Sequence, residues 1–280
     1  MASATIRIVP QGEIARGTAE PPALKLPARN TFFPERAARL RTLSGRDPAA
    51  GGYLELIALV AEAQHAALLS QPETWRDALK LIAARLAPRV AAPTAGLVRG
   101  LASASERYLD NAAARLIEFD YPSLDARAVP FLGAALQVYR VHRATSAGEA
   151  AFRKPDVPNL CPVCGAPPVA STLRTDIPVP GSRYLHCALC CASWHLPRGQ
   201  CAHCAARDKL VYFHIEGGDE VVKAEACDAC RSYLKIVNQE KDPLADPVAD
   251  DLATLSLDLL MDESGYERAG PNVFFIPGQT

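Results

Sequence analysis

The feature that most constrains this 280-residue sequence is the placement of its nine cysteines. Eight of them form four C-x-x-C pairs, and adding 40 to each residue number maps the first two pairs onto the last two. A constant offset across four such residues indicates one module copied in tandem. The first copy contains Cys161, Cys164, Cys187 and Cys190, and the second contains Cys201, Cys204, Cys227 and Cys230.

Each C-x-x-C pair is typical of a knuckle, a tight turn that directs two thiolates at one ion, and two knuckles complete a tetrahedron. The 22 residues between the two pairs of a repeat leave room for a short β-hairpin. A module of about 40 residues is near the size at which an apolar core alone no longer stabilises a fold. Metal binding by such ligand sets contributes an apparent ~10 to 16 kcal/mol. We therefore expect two metal ions, each held in a closed site of four cysteines.

The residues leave the pairing and the metal open. A sequential arrangement, with one site per repeat, is favoured because a duplicated module should be self-contained. An interleaved arrangement would join the first pair to the third and the second pair to the fourth. Tetrahedral sulfur ligation suits both iron and zinc. A thioredoxin-like dithiol fits less well, since it needs one C-x-x-C at the start of a helix rather than four in register.

The ninth cysteine, Cys191, adjoins Cys190 and has Arg231 as its counterpart in the second repeat. It is interpreted as a small buried or edge residue, and the alternative is a thiol that reacts with or senses a partner. Four histidines lie near the knuckles, and we expect packing or supporting roles for them because eight thiolates already fill both tetrahedra. They are His186, His195, His203 and His214.

The N-terminal half has helical periodicity from residue 32 to about residue 148, which predicts a bundle of four or five helices. One stripe runs from Leu54 to Leu68, and Ser70 with Glu73 resembles a capping box before a second stripe that begins at Trp75. The other apolar positions predict a third long helix and a fourth entered through Pro122. The third contains Leu101, Tyr108, Ala112 and Leu116, and the fourth contains Val129, Leu132, Leu136 and Tyr139.

Residues 241–280 have a net charge of −6, from eight acidic residues against Lys241 and Arg268. A helix is expected there, with Asp246 as its N-cap and Gly265 as its end. Its apolar stripe would be Leu252, Leu255 and Leu259.

The predicted fold class is α+β multidomain, with an N-terminal helical bundle, two tandem rubredoxin-like (zinc-ribbon-type) four-cysteine modules and a C-terminal helix. Five segments follow from the composition: an irregular segment 1–31, a helical domain 32–155, a first module 156–196, a second module 197–240 and an acidic helix and tail 241–280.

Charge and motifs exclude several function classes. Residues 151–240 contain ten basic and nine acidic residues, a net of +1 that two four-thiolate metal sites would lower to about −3, so nucleic acid is not an expected partner. Conventional catalysis is not expected either, because the sequence has no nucleophile elbow, phosphate loop or H-E-x-x-H and both sites are closed by four sulfurs. The N-terminus lacks the apolar run of a secretory signal and no stretch is long enough to span a bilayer, so a cytoplasmic location is expected.

Several stretches together resemble the formate dehydrogenase accessory protein FdhE family. They are CPVCGAPPVAS from Cys161, RYLHCALCCASWHLPRGQCAHC from Arg183, VKAEACDACRSYLKI, QEKDP, VADDLATLSLDLL and FFIPG, with looser matches at AALQVY from Ala134 and RAARLRTL from Arg36. Gly199, Gln200 and Cys191 depart from the family pattern, and none of these departures removes a cysteine of the C-x-x-C motifs.

The resemblance implies a cytoplasmic maturation factor with a helical domain and two rubredoxin-like modules. Its partner would be the catalytic subunit of a respiratory formate dehydrogenase, which is exported after assembly. The family's metal-binding motifs correspond to the eight cysteines of the two repeats. A second function is kept open, that of a rubredoxin-like electron-transfer or thiol-redox protein acting on a client enzyme.

Overall fold

The structure is a computed structural model that describes residues 20–46, 48–153, 157–218 and 220–275. In these ranges the N-terminal half contains six α-helices, one more than the upper number predicted. They are α1 Phe32–Ser44, α2 Gly51–Leu69, α3 Trp75–Leu86, α4 Ala92–Ala102, α5 Glu106–Ile117 and α6 Val129–Ala147. The stripe predicted for α2 is confirmed, since Leu54, Ile57 and Leu68 are fully buried.

The predicted capping box at Ser70 and Glu73 was wrong. Ser70 instead follows the last residue of α2, where its Oγ donates to the carbonyl of Ala66 at 3.0 Å. The box that starts α3 is formed by Thr74 and Asp77, with Thr74 Oγ1 accepting from the backbone N–H of Asp77 at 3.1 Å. The predicted capping box therefore lay four residues, about one helical turn, before the actual one.

The single long helix predicted from Leu101 to Leu116 was also wrong, because the chain breaks after α4. Ser105 caps α5, its Oγ accepting from the N–H of Tyr108 at 3.3 Å. Because α5 starts anew after the break, its buried face differs from the predicted one: Tyr108 is 47% exposed, and Leu109 is buried instead. Likewise, Pro122 lies in a 3-10 turn, and the proline in the first turn of α6 is Pro130.

The C-terminal half is built on one eight-stranded sheet. Its strands are β1 Leu24–Lys25, β2 Pro168–Arg174, β3 Ser182–Cys187, β4 Ser193–His195, β5 Leu210–Phe213, β6 Val222–Cys227, β7 Ser232–Asn238 and β8 Glu267–Arg268. The order is β1-β4-β3-β2-β7-β6-β5, with β8 also paired to β7. Each repeat contributes three antiparallel strands, and β3 maps onto β6 at the same offset of 40.

The two repeats are joined edge to edge, because β2 of the first pairs in parallel with β7 of the second. A buried ion pair crosses this junction, with Arg183 of β3 lying 2.5 Å from Glu225 of β6. The two modules are thus parts of one continuous sheet.

The C-terminal segment forms two helices, α7 Ala249–Leu252 and α8 Leu255–Glu263, where one was expected. The N-cap of α7 is Val248, two residues after the predicted Asp246, although the Asp246 carboxylate does accept from the N–H groups of Val248 and Ala249 at 2.9 and 2.8 Å. Gly265 follows α8 with φ of 74°, which fits its predicted role as terminator. The predicted stripe fails at Leu259, which is 68% exposed, while Leu257 and Met261 are buried.

Two hydrophobic cores hold the molecule together. The larger one is continuous from the helical bundle into the first repeat, whereas the smaller one lies between the second repeat and α8. After β8 the chain returns to the bundle, where the hydroxyl of Tyr53 donates to the carbonyl of Phe274. The helical domain is therefore fixed to the first repeat more closely than to the second.

Candidate metal centres

The eight paired cysteines gather into two clusters, and each cluster contains the four cysteines of one repeat. In each cluster the four Sγ atoms lie within 4.8 Å of one another. The clusters are Cys161, Cys164, Cys187 and Cys190, and Cys201, Cys204, Cys227 and Cys230. This grouping is the sequential arrangement favoured from the sequence. All nine cysteines are free thiols, as expected where disulfides play no part.

The sulfur separations suit a tetrahedral site. The Sγ atoms of Cys201 and Cys230 lie 3.8 Å apart, as do those of Cys204 and Cys227. Zn–S bonds of about 2.3 Å place the sulfurs of a tetrahedron about 3.8 Å apart. The corresponding Sγ–Sγ separations in the first cluster are 3.4 Å, slightly shorter than the distance expected in a tetrahedral site. Both donor sets therefore fit one tetrahedral ion each.

Backbone turns position the thiols. In the first knuckle the N–H of Cys161 donates to the carbonyl of Ala166 at 2.9 Å, and the N–H of Gly165 donates to the carbonyl of Cys161 at 2.9 Å. Backbone N–H groups also point at sulfur: those of Leu189 and Cys190 lie 3.3 Å from Cys187 Sγ. Such donors favour the thiolate that binds a metal.

One residue after each knuckle adopts the left-handed conformation, and sequence reasoning missed this. These residues are Gly165, Cys191, Ala205 and Arg231, with φ of 75°, 58°, 61° and 57°. Only the glycine signals such a conformation in sequence. Cys191 and Arg231 thus share a structural position, which accounts for a cysteine beside the ligand pattern.

The two clusters differ in exposure. In the first, Cys161, Cys187 and Cys190 are buried and Cys164 is half-buried. In the second, Cys201 and Cys227 are buried, Cys230 is half-buried and Cys204 is exposed. The repeated ligand register therefore produces one covered site and one that reaches the surface.

The thiols within each cluster differ in the direction in which their pKa is shifted. Hydrogen bonds from Cys161 and Cys187 lower the pKa of Cys164, while burial raises the pKa of Cys187. In the second cluster burial raises the pKa of Cys201 to about 12. Burial also acts to raise the pKa of Cys230, but hydrogen bonds from Ser232 outweigh it and bring that pKa to about 7. A cation bound at either site would displace the remaining protons, so binding would release protons.

The four histidines lie outside both sulfur clusters. His186 is buried, with Nδ1 3.1 Å from Ser193 Oγ and its ring stacked on Phe32 at 6.0 Å. Burial and the nearby Arg36 guanidinium lower the pKa of His186 to about 3. His186 therefore packs as a neutral ring between the helical domain and the first repeat. His195 is half-buried, while His203 and His214 are exposed.

Cys191 is buried beside Arg36, and that burial raises the pKa of its thiol to about 11. A protonated, enclosed thiol agrees with the interpretation of Cys191 as a small packing residue and disfavours the reactive alternative.

Comparison with known proteins assigns the family. The family model described as "FdhE, N-terminal" matches residues 21–74 and 69–154, the "FdhE, central domain" model matches residues 160–198, and the "FdhE, C-terminal domain" model matches residues 200–275. The chain belongs to the FdhE family. This is the family of formate dehydrogenase accessory proteins to which the sequence pointed.

Individual FdhE proteins extend the match over the whole chain. "Protein FdhE" of Escherichia coli K12 and of Salmonella paratyphi A are each 35% identical over 308 aligned positions, covering 98% of this chain and 99% of the relative. The crystal structure of the FdhE protein from Pseudomonas aeruginosa superposes with a TM-score of 0.85 at 33% identity, covering 92% of this chain and 100% of that one. The predicted fold class, a helical domain followed by two four-cysteine modules, is confirmed.

Within the described ranges, no helix combines the length and apolar character needed to cross a bilayer.

Proposed function

We propose that this FdhE-family chain is an accessory factor that binds the catalytic subunit of a respiratory formate dehydrogenase in the cytoplasm, during assembly and before export. The observation that carries the proposal is the match to FdhE proteins over 98% of the chain, with both cysteine repeats included.

We further propose that the two clusters each bind one ion of iron or zinc and that the protein is not an enzyme. The eight proposed ligands are Cys161, Cys164, Cys187, Cys190, Cys201, Cys204, Cys227 and Cys230. A site with four sulfur ligands leaves no coordination position for the water that a catalytic zinc needs. The ions would instead stabilise two small modules and hold the surface that meets the client.

The helical domain and the first repeat supply a single rigid body for such a surface. The side chain of Gln137 in α6 donates to the carbonyl of Ala188 at 2.8 Å, inside the second knuckle, and accepts from Gln64 of α2 at 3.0 Å. Trp194 donates to the carbonyl of Pro158 at 2.8 Å and is 1% exposed. Loss of the first ion should therefore also disturb the helical domain.

The proposal is tested by affinity capture of the tagged protein from cells that make formate dehydrogenase. The catalytic subunit should be recovered with it. Replacing Cys161 and Cys164 together by Ser should reduce both metal content and active formate dehydrogenase, whereas Cys191→Ser should leave metal content unchanged. Failure to recover the subunit while the enzyme is being made contradicts the proposal.

A second function, electron or thiol exchange with the client, is favoured by one specific observation: Cys204 reaches the surface. Iron in such a site transfers one electron. Metal analysis and the visible spectrum of freshly purified protein test it. A coloured iron protein that bleaches on reduction supports electron transfer, and a colourless zinc protein excludes it.

A further inference from the structure

The two clusters share one ligand register but have different surroundings. Cys164 and Cys204 occupy the same position in the two repeats, yet Cys164 is half-buried against the large core while Cys204 is exposed. The last cysteine of each repeat shows the same difference in exposure, since Cys190 is fully buried and Cys230 is half-buried.

The residues between the ligands explain this difference. In the second knuckle of the first repeat, Ala188 and Leu189 are each 1% exposed because they pack into the core shared with the helical bundle. Their counterparts in the second repeat, Asp228 and Ala229, are exposed. The helical domain therefore covers the knuckle of the first site, while the same side of the second site faces solvent.

We propose that the second cluster is an exchange site, at which a thiol of a partner protein replaces Cys204 on the bound ion, while the first cluster holds its ion much longer. This inference rests on the metal ligation proposed above. In the exchange step the bond between the ion and the sulfur of Cys204 breaks, and a bond between the ion and the incoming sulfur forms. The proton of the incoming thiol passes to the sulfur of Cys204, so the step involves no oxidation or reduction.

Access determines which site exchanges. An incoming ligand must approach the ion before the old bond has fully broken, and at the second site Cys204 and the adjacent exposed His203 lie at the surface. At the first site the corresponding Cys164 is half-buried against the core, and an approach on the side of the second knuckle would have to displace Leu189. That displacement is a local opening, and its free energy slows exchange.

The experiment uses the purified full-length chain loaded with two zinc ions, a colorimetric pyridylazo-resorcinol chelator and β-mercaptoethanol as the incoming thiol. Zinc release should occur in two phases of one ion each, separated by about tenfold or more in rate. The fast rate should rise with thiol concentration and the slow rate should not. Release of both ions in one phase overturns the proposal.

Thiol labelling identifies the site that exchanges. Partial alkylation followed by peptide mass spectrometry should mark Cys204 and Cys230 during the fast phase and Cys164 only during the slow phase. Buried Cys191 is the internal control, since it should react only when the fold opens. Fast labelling of Cys164 before Cys204 overturns the assignment.

Matched variants provide a further test of which site releases its ion quickly. Cys204→Ser should remove the fast phase and leave one ion that is still released slowly, whereas Cys164→Ser should remove the slow ion and lower the melting temperature. If a variant does not fold, the wild-type kinetics and labelling decide. A wild-type chain that binds no zinc or iron refutes both the proposed ligation and the exchange, while capture of the client is scored separately and does not depend on release rates.

Discussion

Asp246 joins the C-terminal segment to α1, and its replacement by Ala should destabilise the whole chain. Its carboxylate accepts from Arg36 Nε at 3.1 Å and also from the N–H of Val248 at the start of α7. The Arg36 side chain is 0% exposed, so Asp246→Ala leaves a buried charge without its partner. Breaking a buried pair in this way costs about 3 to 5 kcal/mol, and the loss of a side-chain acceptor at a helix N-terminus costs about 1 kcal/mol. For a chain of this size each kcal/mol lowers the melting temperature by about 2 to 4 °C.

The assay is urea and thermal unfolding followed by circular dichroism, with Asp125→Ala as the matched control. Asp125 pairs with Arg127 at the surface, where such pairs contribute about 1 kcal/mol or less. The double variant Arg36→Met/Asp246→Leu should recover stability relative to Asp246→Ala, because apolar replacement of a whole buried pair is often neutral. The reasoning is refuted if Asp246→Ala unfolds within about 1 kcal/mol of Asp125→Ala.

Three further substitutions should be destabilising, stabilising and pH-dependent in their effects, respectively. Gly133→Ala should destabilise by about 1 to 3 kcal/mol, because a Cβ there would lie 2.9 Å from Val273 Cβ. Gly96→Ala, with no heavy atom within 4 Å, should stabilise α4 by about 0.5 to 1 kcal/mol, and equal effects in urea unfolding would contradict the packing argument. Burial and the Glu225 carboxylate raise the pKa of Tyr212 to about 12, so its contribution to stability is complete below the unfolded pKa of about 10 and is lost as pH rises towards 12. Tyr212→Phe should flatten this alkaline decline in the urea midpoint, and identical pH profiles would show that Tyr212 plays no part.

Much of the C-terminal half could be predicted because its information is local and repeated. The offset of 40 between the two sets of cysteines favoured one cluster per repeat, which the structure has, and β3 and β6 are related by the same offset. The α2 stripe was equally readable, since Leu54 and Ile57 lie on one helical face. The helix ends were harder to predict, because several nearby hydroxyl residues can cap a helix. Ser70 and Thr74 are both suitable, and only Thr74 caps α3.

The acidic C-terminal segment shows where sequence reasoning ends. Its net charge gives no sign of burial, yet Asp250 and Asp251 are buried. Asp250 accepts from Arg39 Nε at 2.9 Å, across 211 residues of sequence. The Asp251 carboxylate is ion-paired with Lys235 Nζ at 3.1 Å and accepts from Arg268 at 2.6 Å. Arg39 and Asp250 become adjacent only once the bundle and the C-terminal segment have packed together, and Asp251 meets Lys235 and Arg268 only once β7 and β8 have paired. Composition alone therefore assigns these charges to solvent.

The order of the modules along the chain explains why two copies of one site came to differ. The first repeat follows the helical domain directly and packs into its core, whereas the second is attached through β2 and β7 and by α8. The apolar pair Ala188 and Leu189 therefore lies under the bundle, and a polar Asp228 is tolerated at the matching place in the second repeat. This difference in cover is what the proposed division of roles depends on, in which the covered cluster retains its ion for stability and the exposed cluster exchanges ligands.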